Sequence, residues 1–319
     1  MKYWNEIDGT SILCPYCNER HVIKYGRRGG NQLFYCNDCK KKFIKKPLKN
    51  KTYSPKVITG AISHYNLGYT LEDAAKLVNR QFKVNVSKSS LHSWIKEFAE
   101  ICTYRKLRAK VVKKYGEKII CEHSFKHSGL TYNFTYHLPK VEILCSQYTS
   151  LINYLTDMHK RCPSDVFREG ERCSQLLFDV RIKKDGFYNQ ACKLAELALT
   201  ACTTNTQRHG IVERFMLIND SSTIACEIPV WFWEKNLGSS VCGHIDILQM
   251  RRGNIYVLDF KPMAEKVNEE KVASQLYQYA IGLSFRTSIP LKMMRCAWFD
   301  ENVYYEFNPM NAKLKIIRR

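Results

Sequence analysis

Four cysteines are spaced to hold a metal ion: Cys14 and Cys17, then Cys36 and Cys39, two C-x2-C pairs 18 residues apart. Zinc takes soft thiolates in a tetrahedron, and two intervening residues let one tight turn present both sulfurs to the same ion. A structural Zn²⁺ is expected, with a disulfide pair as the alternative that a reducing compartment disfavours. A second constellation lies in VCGHIDILQMRRGNIYVLDFKP. Two apolar, β-prone runs flank Arg251-Arg252-Gly253-Asn254, a polar turn, so Asp246 and Asp259 are expected on neighbouring antiparallel strands where their carboxylates can converge. Asp259 and Lys261 are two apart and project from one face of their strand, with Phe260 on the other. Paired carboxylates are hard oxygen ligands for Mg²⁺ or Mn²⁺, and an adjacent ammonium can orient a nucleophile or stabilise charge on a scissile phosphate. The implied chemistry is phosphodiester hydrolysis. Three ordinary charges at a sheet edge are the plainer reading, and they fit poorly with strands this apolar, because Asp is depleted in strands.

Each set of residues needs elements to position it. Around the cysteines, VIKYGRRGGNQLFYC carries short β-prone stretches on either side of a Gly-rich turn, which predicts a zinc ribbon hairpin. Arg27 and Arg28 in that turn are candidates for DNA contact. A basic run, KKKFIKKPLKNK, leads out of the ribbon as a linker that either touches phosphates or is merely solvated. From Tyr53 three short amphipathic helices are expected, the first near Pro55 to Tyr65, the second capped by Thr70 and the third by Ser87. Leu91, Trp94 or Ile95, and Phe98 give the third an apolar face, leaving Lys88, Ser89, His92, Ser93 and Lys96 on the other. Such a helix suits a major groove as part of a helix-turn-helix, while a small bundle that only packs is the alternative. Residues 101 to about 185 carry little signal and are taken as a helical connector with one short strand in TYNFTYHLP. His123, His127, His137 and His159, which fall within it, are read as surface or packing histidines. The remaining ten cysteines are read as mostly buried, reduced thiols, with no iron-sulfur cluster.

Charge supports the same division. The 319 residues carry a formal net charge of +20, and residues 1–120 hold 25 of the 50 Lys and Arg but 9 of the 30 Asp and Glu. A field so placed attracts a polyanion, and DNA is the expected partner. The sequence shows no apolar run long enough to span a bilayer and no signal-peptide core, so a cytoplasmic, nucleoid-associated protein without a membrane partner is expected.

Residues 14 to about 100 resemble the amino-terminal part of insertion-sequence transposases, through CPYC, IKYG and QLFYCNDCKKKF followed by the helical module. That resemblance implies recognition of DNA, and it suggests other mobile-element proteins or a second copy of the chain as partners. Residues 190 to 310 resemble the RecB-like branch of the PD-(D/E)XK nuclease superfamily, with GxxD as Gly243 to Asp246, DxK as Asp259 to Lys261, and QxxxY as Gln275 to Tyr279. Gln275 and Tyr279 are one helical turn apart and share a face, suited to supporting the lysine or contacting DNA. The family carries a further acidic residue or histidine on a helix before the sheet, which points to Glu213, with His209 next; Glu227, within the following strand, is weighed instead as a pairing or edge charge. Glu196 is expected to face solvent. Taken together, the expected architecture is multidomain: a β zinc ribbon (1–46), an all-α helix-turn-helix (47–105), a helical connector (106–185) and an α/β restriction-endonuclease-like core with a mixed central sheet (186–319). The expected activity is metal-dependent DNA cleavage. A transposon-derived DNA-binding regulator with an inactive core, or a transposase subunit nicking element ends, are the alternatives.

Overall fold

The structure, a computed structural model, describes residues 14, 17, 21–28, 31–44, 51–115, 119–127, 129–175 and 178–316. The chain divides into two compact units, Met1–Pro55 and Lys56–Arg319. The first holds an antiparallel sheet of β1 (Val22–Arg28), β2 (Asn31–Cys36) and β3 (Lys42–Ile44) in that order. Its core is small: Phe34 stacks on Phe43 at 5.7 Å beside buried Cys14 and Cys36. So few apolar side chains bury too little surface to hold a fold unaided, and ligation of a metal is the usual supplement.

The second unit opens with α1 (Pro55–Asn66), α2 (Leu71–Phe82), α3 (Lys88–Glu97) and α4 (Arg105–Tyr115). Both expected caps form. Thr70 accepts the Asp73 amide at 3.1 Å and Ser87 the Ser90 amide at 3.1 Å, each contributing about 1 kcal/mol to its helix. Between α2 and α3, the Asn79 side chain clamps the connection by accepting Val86 N at 2.6 Å and donating to Val86 O at 3.0 Å. Val57, Ile58, Ile62, Val78, Leu91, Trp94 and Phe98 are buried between these helices and their surroundings.

There follow β4 (Ile120–His127), β5 (Leu130–His137), α5 (Leu138–Leu144), α6 (Thr149–Arg161), α7 (Ser164–Glu169), β6 (Glu171–Arg172), β7 (Phe178–Arg181), β8 (Asp185–Phe187), α8 (Gln190–Leu199) and α9 (Arg208–Asn219). The chain then runs through β9 (Thr223–Glu234), β10 (Ser239–Arg251), β11 (Asn254–Phe260), α10 (Glu269–Thr287), β12 (Met294–Phe299), β13 (Tyr304–Phe307) and β14 (Lys313–Ile316). Nine strands form one mixed sheet in the order β4-β5-β9-β10-β11-β12-β13-β8, with β6 pairing β10; β11–β12 and β6–β10 are the parallel pairs. Strands β7 and β14 make a separate antiparallel pair. Helix α10 packs across β9 to β12 and against α6, burying Ala273, Leu276, Ala280 and Leu283 at helical spacing.

The stretch expected as a helical connector has the expected short strand, β5, and helices, but it also belongs to the main sheet. It supplies strands β4 and β5, which extend the main sheet through the β5–β9 pairing, and β6, which joins at β10. A sequence shows its own local periodicity but not a strand partner some 90 residues further on, which is why this contribution was hidden. The helical module is tied to the same body. Asn66 Nδ2 donates to Asn219 Oδ1 at 2.8 Å, Asn219 Nδ2 donates to Ser63 Oγ at 3.0 Å, and Arg108 donates to the carbonyls of Tyr65 and Tyr69 at 2.6 and 2.7 Å. Just beyond Asn219, fully buried Lys140 donates to the carbonyls of Leu217, Asp220 and Thr223.

Candidate active site

Asp246 and Asp259 come from adjacent strands, as the spacing requires. β10 and β11 pair antiparallel from Ile247↔Leu258 to Arg251↔Asn254, and the two turn residues, Arg252 and Gly253, have φ of 48° and 80°. Two left-handed positions in a row match the twist of a tight hairpin, and glycine takes the second without a Cβ penalty. Asp259 is fully buried, and Lys261 Nζ stands 2.8 Å from its Oδ2. Asp246 is half-buried at the wall of a cavity.

Two more carboxyl groups join them. Glu227 lies opposite Asp246, between the pairs Ile245↔Ile228 and Ile247↔Cys226, at a point the ladder skips because its φ is 54°. Residues directly opposite in an antiparallel pair project from one face, and Glu227 lines the cavity that Asp246 also lines. Glu213, from α9, is buried close behind and electrostatically coupled to Glu227 and Asp259. His209 stays exposed, its ring edge-on to Phe260 at 5.3 Å. Glu196 is half-buried and accepts the Tyr188 hydroxyl at 3.0 Å, so it does not face solvent as expected.

Crowding shapes the charges. Burial, followed by Glu227 and Asp259, pushes Glu213 well above the ordinary carboxylate range; burial, followed by Asp259, does the same to Asp246. Glu227 is raised to about 7 by burial and by Asp259. For Lys261 burial is the largest influence and pulls its pKa down, yet Asp259 and Asp246 together more than offset it, so the ammonium stays charged. Added positive charge here would relieve repulsion among four carboxyl groups.

A comparison within the molecule shows how unusual Asp259 is. Asp220 is also buried, but its Oδ2 accepts from Ser222 Oγ, Thr223 N, Thr223 Oγ1 and Gln249 Nε2 at 2.6 to 3.0 Å. Neither oxygen of Asp259 accepts a well-aligned hydrogen bond from the described residues. Beyond the Lys261 ammonium at 2.8 Å, a buried carboxylate so poor in donors is costly, and a second cation would complete it. The hard oxygen donors of Asp259, Asp246 and Glu227 suit a divalent ion such as Mg²⁺ or Mn²⁺. Among the described residues, however, the only set of three or more such ligand atoms all within 4.8 Å of one another is the cysteine group, so the carboxylates share a neighbourhood without forming a closed shell.

The cysteine group itself is compact. Cys14 Sγ is 3.5 Å from Cys39 Sγ, and Cys17 Sγ is 3.5 Å from Cys36 Sγ. Four sulfurs bound to zinc at about 2.3 Å sit about 3.8 Å apart, so these thiols can bind a metal such as zinc with little movement.

Gln275 and Tyr279 meet as their spacing implies, Gln275 Nε2 donating to the Tyr279 hydroxyl at 2.7 Å. A Cβ added at Gly243 would lie 2.5 Å from a Tyr279 ring carbon and 3.2 Å from Cys173 Sγ. The glycine of GxxD is thus what lets the tyrosine of QxxxY close over β10. On α3, Lys88, Ser89, His92, Ser93 and Lys96 are all exposed while Leu91 and Trp94 are buried. Arg27 and Arg28 end β1, and their side chains lie outside the described residues.

Sequence reasoning missed the other wall of the cavity. A space of about 230 Å³ is lined by Glu227, Asp246, Gln275 and Tyr279 on one side and by Tyr132, His244 and Arg172 on the other. His127 Nδ1 meets His244 Nε2 at 2.8 Å, and burial pushes these imidazoles down to about 4 and about 2, so both are neutral at pH 7. His244 stands inside the GxxD motif, the one signal that could have flagged this wall. Nothing local to Tyr132 or Arg172 marks them. Among the described residues no helix is long and apolar enough to cross a membrane. No family model, curated protein or solved structure matches the chain.

Proposed function

We propose that the chain is a metal-dependent DNA nuclease whose active site is the carboxylate cluster on β9, β10 and β11. The observation that carries this reading is Asp259, fully buried, without a well-aligned hydrogen bond from the described residues, and 2.8 Å from a charged lysine. The mixed sheet with α10 across it is consistent with the PD-(D/E)XK resemblance of the three motifs, and with a restriction-endonuclease-like core. Asp246, Asp259 and Glu227 would hold Mg²⁺ or Mn²⁺, with Glu213 behind them. When bound, the ion neutralises charge on the phosphate and lowers the pKa of the attacking water. Lys261 presents a fixed ammonium to the charge that develops on the phosphate, and Gln275 and Tyr279 fix the floor of the site. The ribbon and the helix-turn-helix, with Lys88, Ser89, His92, Ser93 and Lys96 on the exposed face of α3, supply grip on DNA.

Purified protein incubated with DNA and Mn²⁺ or Mg²⁺ is expected to cut it. Asp259→Ala and Lys261→Ala together remove about 10²-fold or more of that rate, and activity that survives both substitutions would falsify the assignment. Glu227→Gln is expected to lose more activity than Glu213→Gln, since Glu227 is the one that lines the cavity. The second reading, a DNA-binding regulator with an inactive core, is favoured by the absence of a closed carboxylate shell among the described residues. It predicts DNA binding with no metal-dependent cleavage of any DNA form.

A further inference from the structure

The cavity beside the carboxylates continues into an aromatic wall that the chemistry above does not use. Tyr132, from β5, lies flat on His244 with ring centroids 3.6 Å apart and planes 5° apart. Phe167 backs the same wall, stacked on His127 at 3.9 Å. Arg172, the second residue of the short strand β6, donates to the Tyr132 hydroxyl and so holds a cationic group at the rim of the same space. Tyr132 and Arg172 are both half-buried, so neither is sealed from the cavity, and Ser174 at its mouth is exposed.

Flat aromatic surface beside one guanidinium fits one nucleotide: a base has a π-face to lay on a ring, and its phosphate has charge for an arginine. In duplex DNA both faces of each base are covered by its neighbours, so a base reaches this wall only if it is unpaired. We propose that Tyr132, backed by buried His244, and Arg172 form a subsite for an unpaired nucleotide next to the scissile phosphate, which makes single-stranded or frayed DNA the preferred substrate. The proposal rests on the nuclease reading for the word scissile, while the binding of the nucleotide stands on the cavity alone. Duplex recognition stays with the helical module, so the two DNA contacts have different tasks.

The test uses the full chain in buffer without Mg²⁺ or Mn²⁺ and a short single-stranded oligodeoxynucleotide carrying 2-aminopurine, whose fluorescence falls when it stacks on an aromatic ring. Saturable quenching is expected for the wild type. Tyr132→Phe keeps it, whereas Tyr132→Leu and Arg172→Gln weaken binding by about 5-fold or more, the low end of what one base-aromatic contact supplies. Ser174→Glu, at an exposed position, places a longer, non-aromatic and phosphate-repelling side chain at the cavity mouth and is expected to abolish quenching even if Tyr132→Leu fails to fold. A duplex with the same label shows no dependence on Tyr132.

Quenching and affinity unchanged in both Arg172→Gln and Ser174→Glu would overturn the subsite. If the wild type still cuts DNA with Mn²⁺ in that case, the nuclease reading survives the loss. Quenching that depends on Tyr132 and Ser174, in a protein that cuts neither single strands nor duplexes, leaves the nucleotide site standing and removes the nuclease reading instead.

Discussion

Two buried aspartates, Asp220 and Asp259, show how one side-chain type serves opposite ends. Asp220 is surrounded by donors and knits the start of β9 to β10 through Gln249; Asp259 is held beside Lys261 in a crowd of carboxyl groups. The crowding has a cost that pH exposes. Glu227 keeps its proton in the folded chain up to about pH 7, against an ordinary value of 4.5, so the unfolded chain releases that proton first and the folded state loses stability as pH rises between the two values. Below pH 4.5 the group contributes no penalty, and above about pH 7 the penalty is constant. Glu227→Gln removes it. In buffer free of Mg²⁺ and Mn²⁺, the variant's melting temperature is expected to rise relative to wild type from pH 4.5 to 7 and then stay ahead; a difference that does not change with pH would contradict the electrostatic account. Asp246, Asp259 and Lys261 were legible because a turn and a period of two fix where they point. Glu227 was weighed as a pairing or edge charge, since the register that sets it opposite Asp246 leaves no trace in the letters around it.

The contact between β10 and α10 turns two separate motifs into one joint. Tyr279 closes over Gly243 so tightly that a methyl group at the glycine would sit 2.5 Å from the ring. Gly243→Ala is therefore expected to destabilise the fold by about 1–3 kcal/mol through overpacking, read as a lower denaturant midpoint. Tyr279→Leu in the same chain should recover part of that loss, because it removes the atoms in the way; simple addition of the two effects would mean that the clash lies elsewhere. Local elements such as this hairpin, the Thr70 and Ser87 caps and α10 were readable from periodicity and turn chemistry. Strand β4 was not, and β5, read as a short strand in TYNFTYHLP, gave no hint of its place in the sheet, because that depends on β9, which the chain makes much later.

At the level of the complete chain, basic residues concentrate in the first 120 positions, which span the ribbon unit and the helical module. The ribbon forms its own compact unit, with its cysteines as the expected zinc site. Elemental analysis is expected to find one zinc per chain, lost in Cys36→Ser, and because each unit has its own core the melting of Lys56–Arg319 should be unaffected by that loss. A single melting transition that shifts with the zinc would argue that the two units fold as one. The helical module belongs to the other unit. Its α1 shares Asn219 with α9, the helix that also carries Glu213, and Lys140 and Asp220 secure that same end of α9. Small helical modules are often exchangeable parts, but this one is tied into the body of its unit. A recombinant joining foreign recognition helices at the end of α4 would inherit an amide at Asn219 whose partner had gone and a helix end open to water. The unit boundary falls near Pro55, so on the DNA-binding reading proposed above a change of target would come from side chains on α3 rather than from replacement of the module.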